Sequence, residues 1–169
     1  MGYTTYFDGA FQFDKPVTDE LRNYIDKFCD TRRMMRDNEK IKKLFPNWKD
    51  LCFNGELGEN GAYFIGGDDF CGQGIDDSVI DHNNAGSQPG LWCQWVINGN
   101  ELMWDQGEKF YNYVEWLEYL IEHFFAPSGY VLNGTVFYEG EDSDDFGKIV
   151  VTENIVKVLY GSRVYEEAI

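Results

Sequence analysis

The sequence predicts an α+β fold: an antiparallel sheet with two main helices packed on one face. Three observations lead there. Two stretches carry apolar residues at helical spacing. An Asn-Gly turn separates two short apolar runs. The last forty residues alternate strand-like runs with turn residues, and these strand signals are segregated from the helical ones. The length of 169 residues suits a single domain spanning 1–169.

Residues 3–13 are rich in Tyr, Thr and Phe and read as a strand, with Gly9 marking a bulge. Thr18 then offers an N-cap hydroxyl, followed by Asp19 and Glu20, whose charges suit a helix N-terminus. Leu21, Tyr24, Ile25, Phe28, Cys29 and Met35 recur at helical spacing and define its buried face. A second, short helix is expected over Glu39–Phe45, stopped by Pro46. Ala62–Ile65 reads as a buried strand. Gly66–Gly90 is a long Gly-, Asp-, Asn- and Ser-rich connection, a length that often carries function. Leu91–Ile97 and Glu101–Asp105 form the expected central hairpin around Asn98-Gly99-Asn100.

The clearest helix is expected over Glu108–Phe125. Phe110, Tyr113, Val114, Leu117, Leu120, Ile121 and Phe124 make its apolar stripe, with Glu115, Glu118 and Glu122 opposite. Pro127 and Gly129 end it. Tyr130–Glu139, Lys148–Thr152 and Ile155–Tyr160 complete a three-stranded meander.

Composition excludes several function classes. Thirty acids face fourteen bases, a formal charge of -16, so a protein that neutralises nucleic-acid phosphates is disfavoured. The N-terminus lacks a basic and an apolar signal region, and no apolar run is long enough to span a bilayer, so a cytoplasmic location with no membrane contact is expected. Cys29, Cys52, Cys71 and Cys93 show no zinc-ligand spacing and read as reduced thiols. No metal and no cofactor is expected.

Motifs for chemistry are incomplete. Asp142, Asp144, Gly147 and Glu153 match four places of an EF-hand loop, but Phe146 stands where an oxygen ligand belongs. Gly66-Gly67 and Gly72-Gln73-Gly74 lack the third glycine and the helix of a dinucleotide fingerprint. Asp68, Asp69, Asp76, Asp77, Asp81 and His82 crowd one segment. Asp81 and His82 are its candidate acid/base pair. Cys71 or Cys93 with a histidine is the candidate thiol nucleophile, while His123 fits better as a cation complementing a helix C-terminus.

Two functional expectations follow. The first is a non-enzymatic module that binds a protein with a basic surface. Glu115, Glu118, Glu122, Asp142, Asp144 and Asp145 would form its acidic surface. The second is a small-molecule or hydrolytic site beneath the 66–90 connection, lined by Gln88, Trp92, Gln94 and Trp104.

Three stretches also resemble a family of small acidic proteins of bacteria and their phages. They are the Gly2-Tyr3-Thr4-Thr5 start, the octapeptide Gln88-Pro89-Gly90-Leu91-Trp92-Cys93-Gln94-Trp95, and Glu108-Lys109-Phe110-Tyr111 with Glu115 through Phe124. The resemblance implies one domain without export. It carries no mechanism or catalytic residue; the acidic helix face and the acidic turn are what suggest a charge mimic that inhibits or regulates a host protein.

Overall fold

The computed structural model describes residues 2–67 and 73–169. Asp68, Asp69, Cys71 and Gly72 lie outside the described residues. The architecture is α+β. A six-stranded antiparallel sheet holds β1 (Tyr6–Phe13), β4 (Trp95–Asn98), β5 (Glu101–Trp104), β6 (Leu132–Glu139), β7 (Phe146–Thr152) and β8 (Ile155–Tyr160), in the order β4-β5-β1-β6-β7-β8. Helices α1 (Asp19–Asp30) and α3 (Tyr113–Leu120) cover one face, and α2 (Asn38–Leu44) lies apart. A small second sheet pairs β2 (Met35–Arg36) with β3 (Val79–Asp81).

Local chemistry explains the helix ends. The Thr18 hydroxyl accepts from the Leu21 amide at 3.2 Å, capping α1 as its sequence demands. Asp37 caps α2 by accepting from Glu39 and Lys40. α1 stops at Asp30, so Met35 belongs to β2 and not to the helix face assigned by periodicity.

α3 starts at Tyr113, five residues after the expected Glu108. Lys109 and Asn112 have φ of 58° and 56°, which no right-handed helix accommodates. Side chains hold this entry open: Gln94 donates to the Glu108 carbonyl at 2.9 Å and Trp104 to the Gly107 carbonyl at 3.1 Å. Phe110 is buried against Trp95 and Phe7 from an irregular segment, which is why it passed for a helix residue. A π-turn, Ile121–Phe125, closes the helix.

The expected strand Ala62–Ile65 is instead a turn following the 3-10 segment Glu59–Gly61, with Tyr63 and Ile65 amides bonded to the carbonyls of Leu57 and Leu51. The meander and the Asn98–Asn100 hairpin form as expected, except that the first hairpin strand begins at Trp95 and not at Leu91.

The core is aromatic. Phe11, Phe28, Trp95, Trp116, Phe124 and Phe125 are all fully buried. Phe7 contacts Trp95, Trp104, Phe110 and Tyr113 edge-on at 4.8–6.0 Å, joining sheet, hairpin and helix start. Among the described residues, no helix covers the opposite sheet face. Register places Asp8, Phe137, Lys148 and Leu159 in one row across it, with Phe137 and Leu159 exposed.

No bulge occurs at Gly9: β1 pairs with β6 unbroken from Tyr6↔Glu139 to Phe13↔Leu132. Glycine is still required there. Its φ is +110°, and a Cβ would sit 2.8 Å from the Thr135 carbonyl oxygen in the neighbouring strand. A Gly9→Ala substitution is therefore expected to cost about 2 kcal/mol through strain in the central strand pair. Urea unfolding followed by tryptophan emission checks it.

Candidate functional site

Two regions gather the polar residues of this chain: an acidic end and a buried arginine centre. The acidic end joins the β6–β7 turn to the start of α3. Asp142 and Asp144 are exposed, as are Glu115, Glu118 and Glu122, while Trp116, Leu117, Tyr119 and Leu120 of the same helix are buried. Amphipathic spacing thus turns the helix carboxylates to solvent. Asp145 is half-buried and accepts from the Tyr3 hydroxyl at 2.7 Å.

The turn itself is pinned. The Asp142 amide donates to the Tyr3 oxygen at 3.0 Å, and the Thr4 amide donates to Glu141 Oε1 at 2.7 Å. The Gly140 amide bonds to the Asp145 carbonyl at 2.7 Å. Arg163 donates to the Ser143 carbonyl at 2.8 Å. Tyr113, the first residue of α3, lies near the turn. Burial, together with the nearby Asp145 and Glu115 carboxylates, pushes its phenol up to about 12.

Asp142 and Glu153 lie at opposite ends of β7, and Glu153 is bonded to Asn133, so the EF-hand spacing does not converge on one point. Among the described residues, no three His, Cys, Asp or Glu side chains group closely enough to hold a metal ion. Among the same residues, no helix is long and apolar enough to cross a membrane.

Asp81 and His82 are not brought to face each other. Asp81 is exposed and accepts from the Asn83 amide at 2.9 Å, whereas His82 Nδ1 lies 3.2 Å from Asn83 Oδ1. Cys93 is fully buried, and the Cys29 thiol is pushed well above its ordinary value by its hydrogen bond with Cys93 and by burial. A fully buried thiol is out of reach of a substrate. His123 is not the expected helix-end cation. Its Nδ1 lies 2.7 Å from the Tyr63 hydroxyl, its ring stacks on Tyr119 at 4.0 Å, and burial lowers its pKa.

The residues of the small-molecule reading fall into separate groups. Gln94 and Trp104 bond to each other at 3.2 Å. Trp104 also borders a depression of about 660 Å³ with Tyr6, Asp8 and Met103. Trp92 is half-buried. Gln88 belongs elsewhere: it is buried and accepts from Arg33 Nε at 2.9 Å.

That bond leads to the arginine centre, which sequence reading did not find. Arg33 and Arg36 are each 2% exposed. Arg33 Nη2 donates to the Ala62 carbonyl at 2.7 Å, and its guanidinium lies 4.0 Å from the centre of the Phe28 ring. Arg36 Nη1 donates to Asp76 Oδ2 at 2.9 Å and to Ser78 Oγ at 2.8 Å, while its guanidinium covers Phe64. Ser78 also donates to Asp76 Oδ1 through its amide and its hydroxyl. Burial raises the Asp76 pKa, but the bonds from Ser78 and Arg36 outweigh it and hold the carboxyl below its usual value. No sequence signal marked them, because basic residues just past a helix end read as solvated.

Comparison with protein-family models, curated proteins and solved structures finds no match for this chain.

Removing the Asp76 charge leaves Arg36 buried without its counter-ion. Asp76→Asn is expected to destabilise the fold by about 3 kcal/mol, read from urea midpoints at neutral pH. His123 gives a pH signature. Its folded pKa lies below the unfolded one, so the unfolded chain takes up the proton first as pH falls. Its contribution is fully present above pH ~6.5 and declines on acidification below it. His123→Gln is expected to flatten the loss of stability between neutral and mildly acid pH.

Proposed function

We propose that this protein is a non-enzymatic binding module whose acidic end docks on a basic surface of a protein partner. The observation that carries the reading is the pinned β6–β7 turn beside the solvent face of α3. Asp142, Asp144 and Glu115 are exposed, and the turn that carries the two aspartates is fixed by bonds from the Asp142 amide to Tyr3, from the Thr4 amide to the Glu141 side chain and from Arg163 to the Ser143 carbonyl. A charge pattern held in place loses little entropy on binding and discriminates partners by geometry. The uncovered sheet face, with Tyr6, Phe137 and Leu159 exposed, adds the apolar area that such interfaces use.

The reading places the protein in the cytoplasm. Through its resemblance to small acidic proteins of bacteria and phages, the partner would be a host protein, inhibited or regulated by a mimic of phosphate charge. The small-molecule reading on Gln88, Trp92, Gln94 and Trp104 is less well supported, because Gln88, Gln94 and Trp104 are engaged by protein groups.

The test is affinity capture of the tagged protein from bacterial lysate at low and moderate salt. It compares wild type with the variant Glu115→Lys, Asp142→Lys, Asp144→Lys. A stoichiometric basic partner should be retained by wild type at low salt, lost as salt rises, and retained about tenfold less by the variant. An identical captured set for both proteins would overturn the reading.

A further inference from the structure

The ladder between β1 and β5 is short. β1 pairs with β5 at Phe11↔Leu102 and Gln12↔Glu101, whereas β4 follows β5 to its end at Trp95↔Trp104. Asp8, Gly9 and Ala10 are therefore paired with β6 on one side and with no residue of β5 on the other. A depression of about 660 Å³ lies in this opening. Tyr6, Asp8 and Ala10 line it from β1, and Glu101, Trp104 and Gln106 line it from the facing segment. Its volume falls within the roughly 300–1,000 Å³ of small-ligand sites. Tyr6 and Asp8 are exposed, so the approach is open.

The charge of the lining has one sign. Asp8 and Glu101 contribute carboxylates, and among the described residues no Lys or Arg borders the depression. Neither carboxylate is in an ion pair among the same residues; Glu101 accepts from the neutral amide of Gln12 at 3.0 Å. Two rings stand beside them. Tyr6 and Trp104 lie at 88° to each other with centroids 6.0 Å apart. The Trp104 N–H is spent on Gln94 and Gly107, so this residue offers the depression its ring. Aromatic faces attract cations. A lysine or arginine of this chain lies over Phe28, Trp48, Phe64, Tyr130 and Phe146, but among the described residues none lies over Tyr6 or Trp104.

We propose that this depression binds a guanidinium group. The inference goes beyond the protein-binding reading and uses none of the carboxylates at the acidic end. A guanidinium is flat, stacks on an aromatic ring and directs five N–H donors outward in its plane. Asp8 and Glu101 accept charge-assisted bonds from those donors. A quaternary ammonium has no N–H and would leave both carboxylates without a bond. A metal ion finds no third His, Cys, Asp or Glu beside them among the described residues. Two sources carry the chemistry that fits: an arginine side chain of a protein and a free guanidino compound.

The experiment is a titration followed by nitrogen-15 NMR of the five tryptophan indoles, with Trp104 identified by Trp104→Phe. Three probes are added separately at constant low ionic strength. N-acetylarginine methylamide stands for a protein side chain, agmatine for a free guanidino compound, and N-acetylcitrulline methylamide is the uncharged isostere. Asp8→Asn and Tyr6→Leu are titrated beside wild type. Both positions are exposed, and thermal midpoints without probe report that each variant folds.

At least one guanidinium probe should move the Trp104 resonance saturably, with half-saturation near about 1 mM, and the citrulline analogue should leave it in place. Asp8→Asn and Tyr6→Leu should each weaken that binding about fivefold. The guanidinium probe that binds more tightly names the source. A Trp104 resonance that neither guanidinium probe moves would overturn the proposal. So would equal binding of the citrulline analogue, or binding that a folded Asp8→Asn leaves unchanged. None of these outcomes touches the acidic end, whose capture experiment stands apart.

Discussion

Burying two guanidiniums constrains the irregular part of this molecule more than any hydrophobic contact does. The segments 32–37, 61–64 and 76–91 contain little regular structure, so their backbone groups need partners from elsewhere. Arg33 bridges the carbonyl of Ala62 and the side chain of Gln88, and its own amide donates to the Leu91 carbonyl at 2.8 Å. Arg36 fixes Asp76 and Ser78, and the Ser78 carbonyl accepts from the Asp37 amide at 2.7 Å, next to the cap of α2. Arg32 adds bonds to His82 and Asn83 from the exposed side. One short stretch after α1 thus organises three distant parts of the chain. Its long aliphatic stems pack while its heads hold the backbone.

The regular part rests on a different device, edge-to-face aromatic contact. Phe7 sits where β1, the β4–β5 hairpin and the entry to α3 meet. Trp95 extends this node by donating from its indole to the Tyr113 carbonyl at 2.8 Å. That bond, with those from Gln94 and Trp104, fixes where α3 begins. At the other end of β1, Phe13 packs on Phe125 and Tyr130 and so ties the π-turn to the sheet. Tyr3, just before β1, reaches the β6–β7 turn. The acidic end therefore inherits its order from the aromatic core.

The sequence legibly carried what depends on neighbours along the chain. Thr18 announced α1, Asn98-Gly99 announced the hairpin, and alternation announced the meander. What it hid depends on distant partners. The delay of α3 to Tyr113 comes from the bonds of Gln94 to Glu108 and of Trp104 to Gly107, which helical periodicity does not carry. The β2–β3 pair joins residues more than forty positions apart in two very short strands. The exposed carboxylates could be read from helical periodicity. The arginine centre could not, because a basic residue after a helix reads as solvated until Phe28, Ala62 and Gln88 close over it.

The two arginines also change how the charge of this protein presents itself. The formal charge of -16 counts fourteen basic residues, but Arg33 and Arg36 face inward, so the surface seen by another protein is more acidic than composition states. At the acidic end, Asp142, Asp144 and Glu115 are solvated, and salt within a Debye length of about 8–10 Å weakens their reach. At the arginine centre the charges are desolvated, and mobile ions do not come between them. One chain therefore holds a negative exterior that responds to ionic strength and a positive interior that does not.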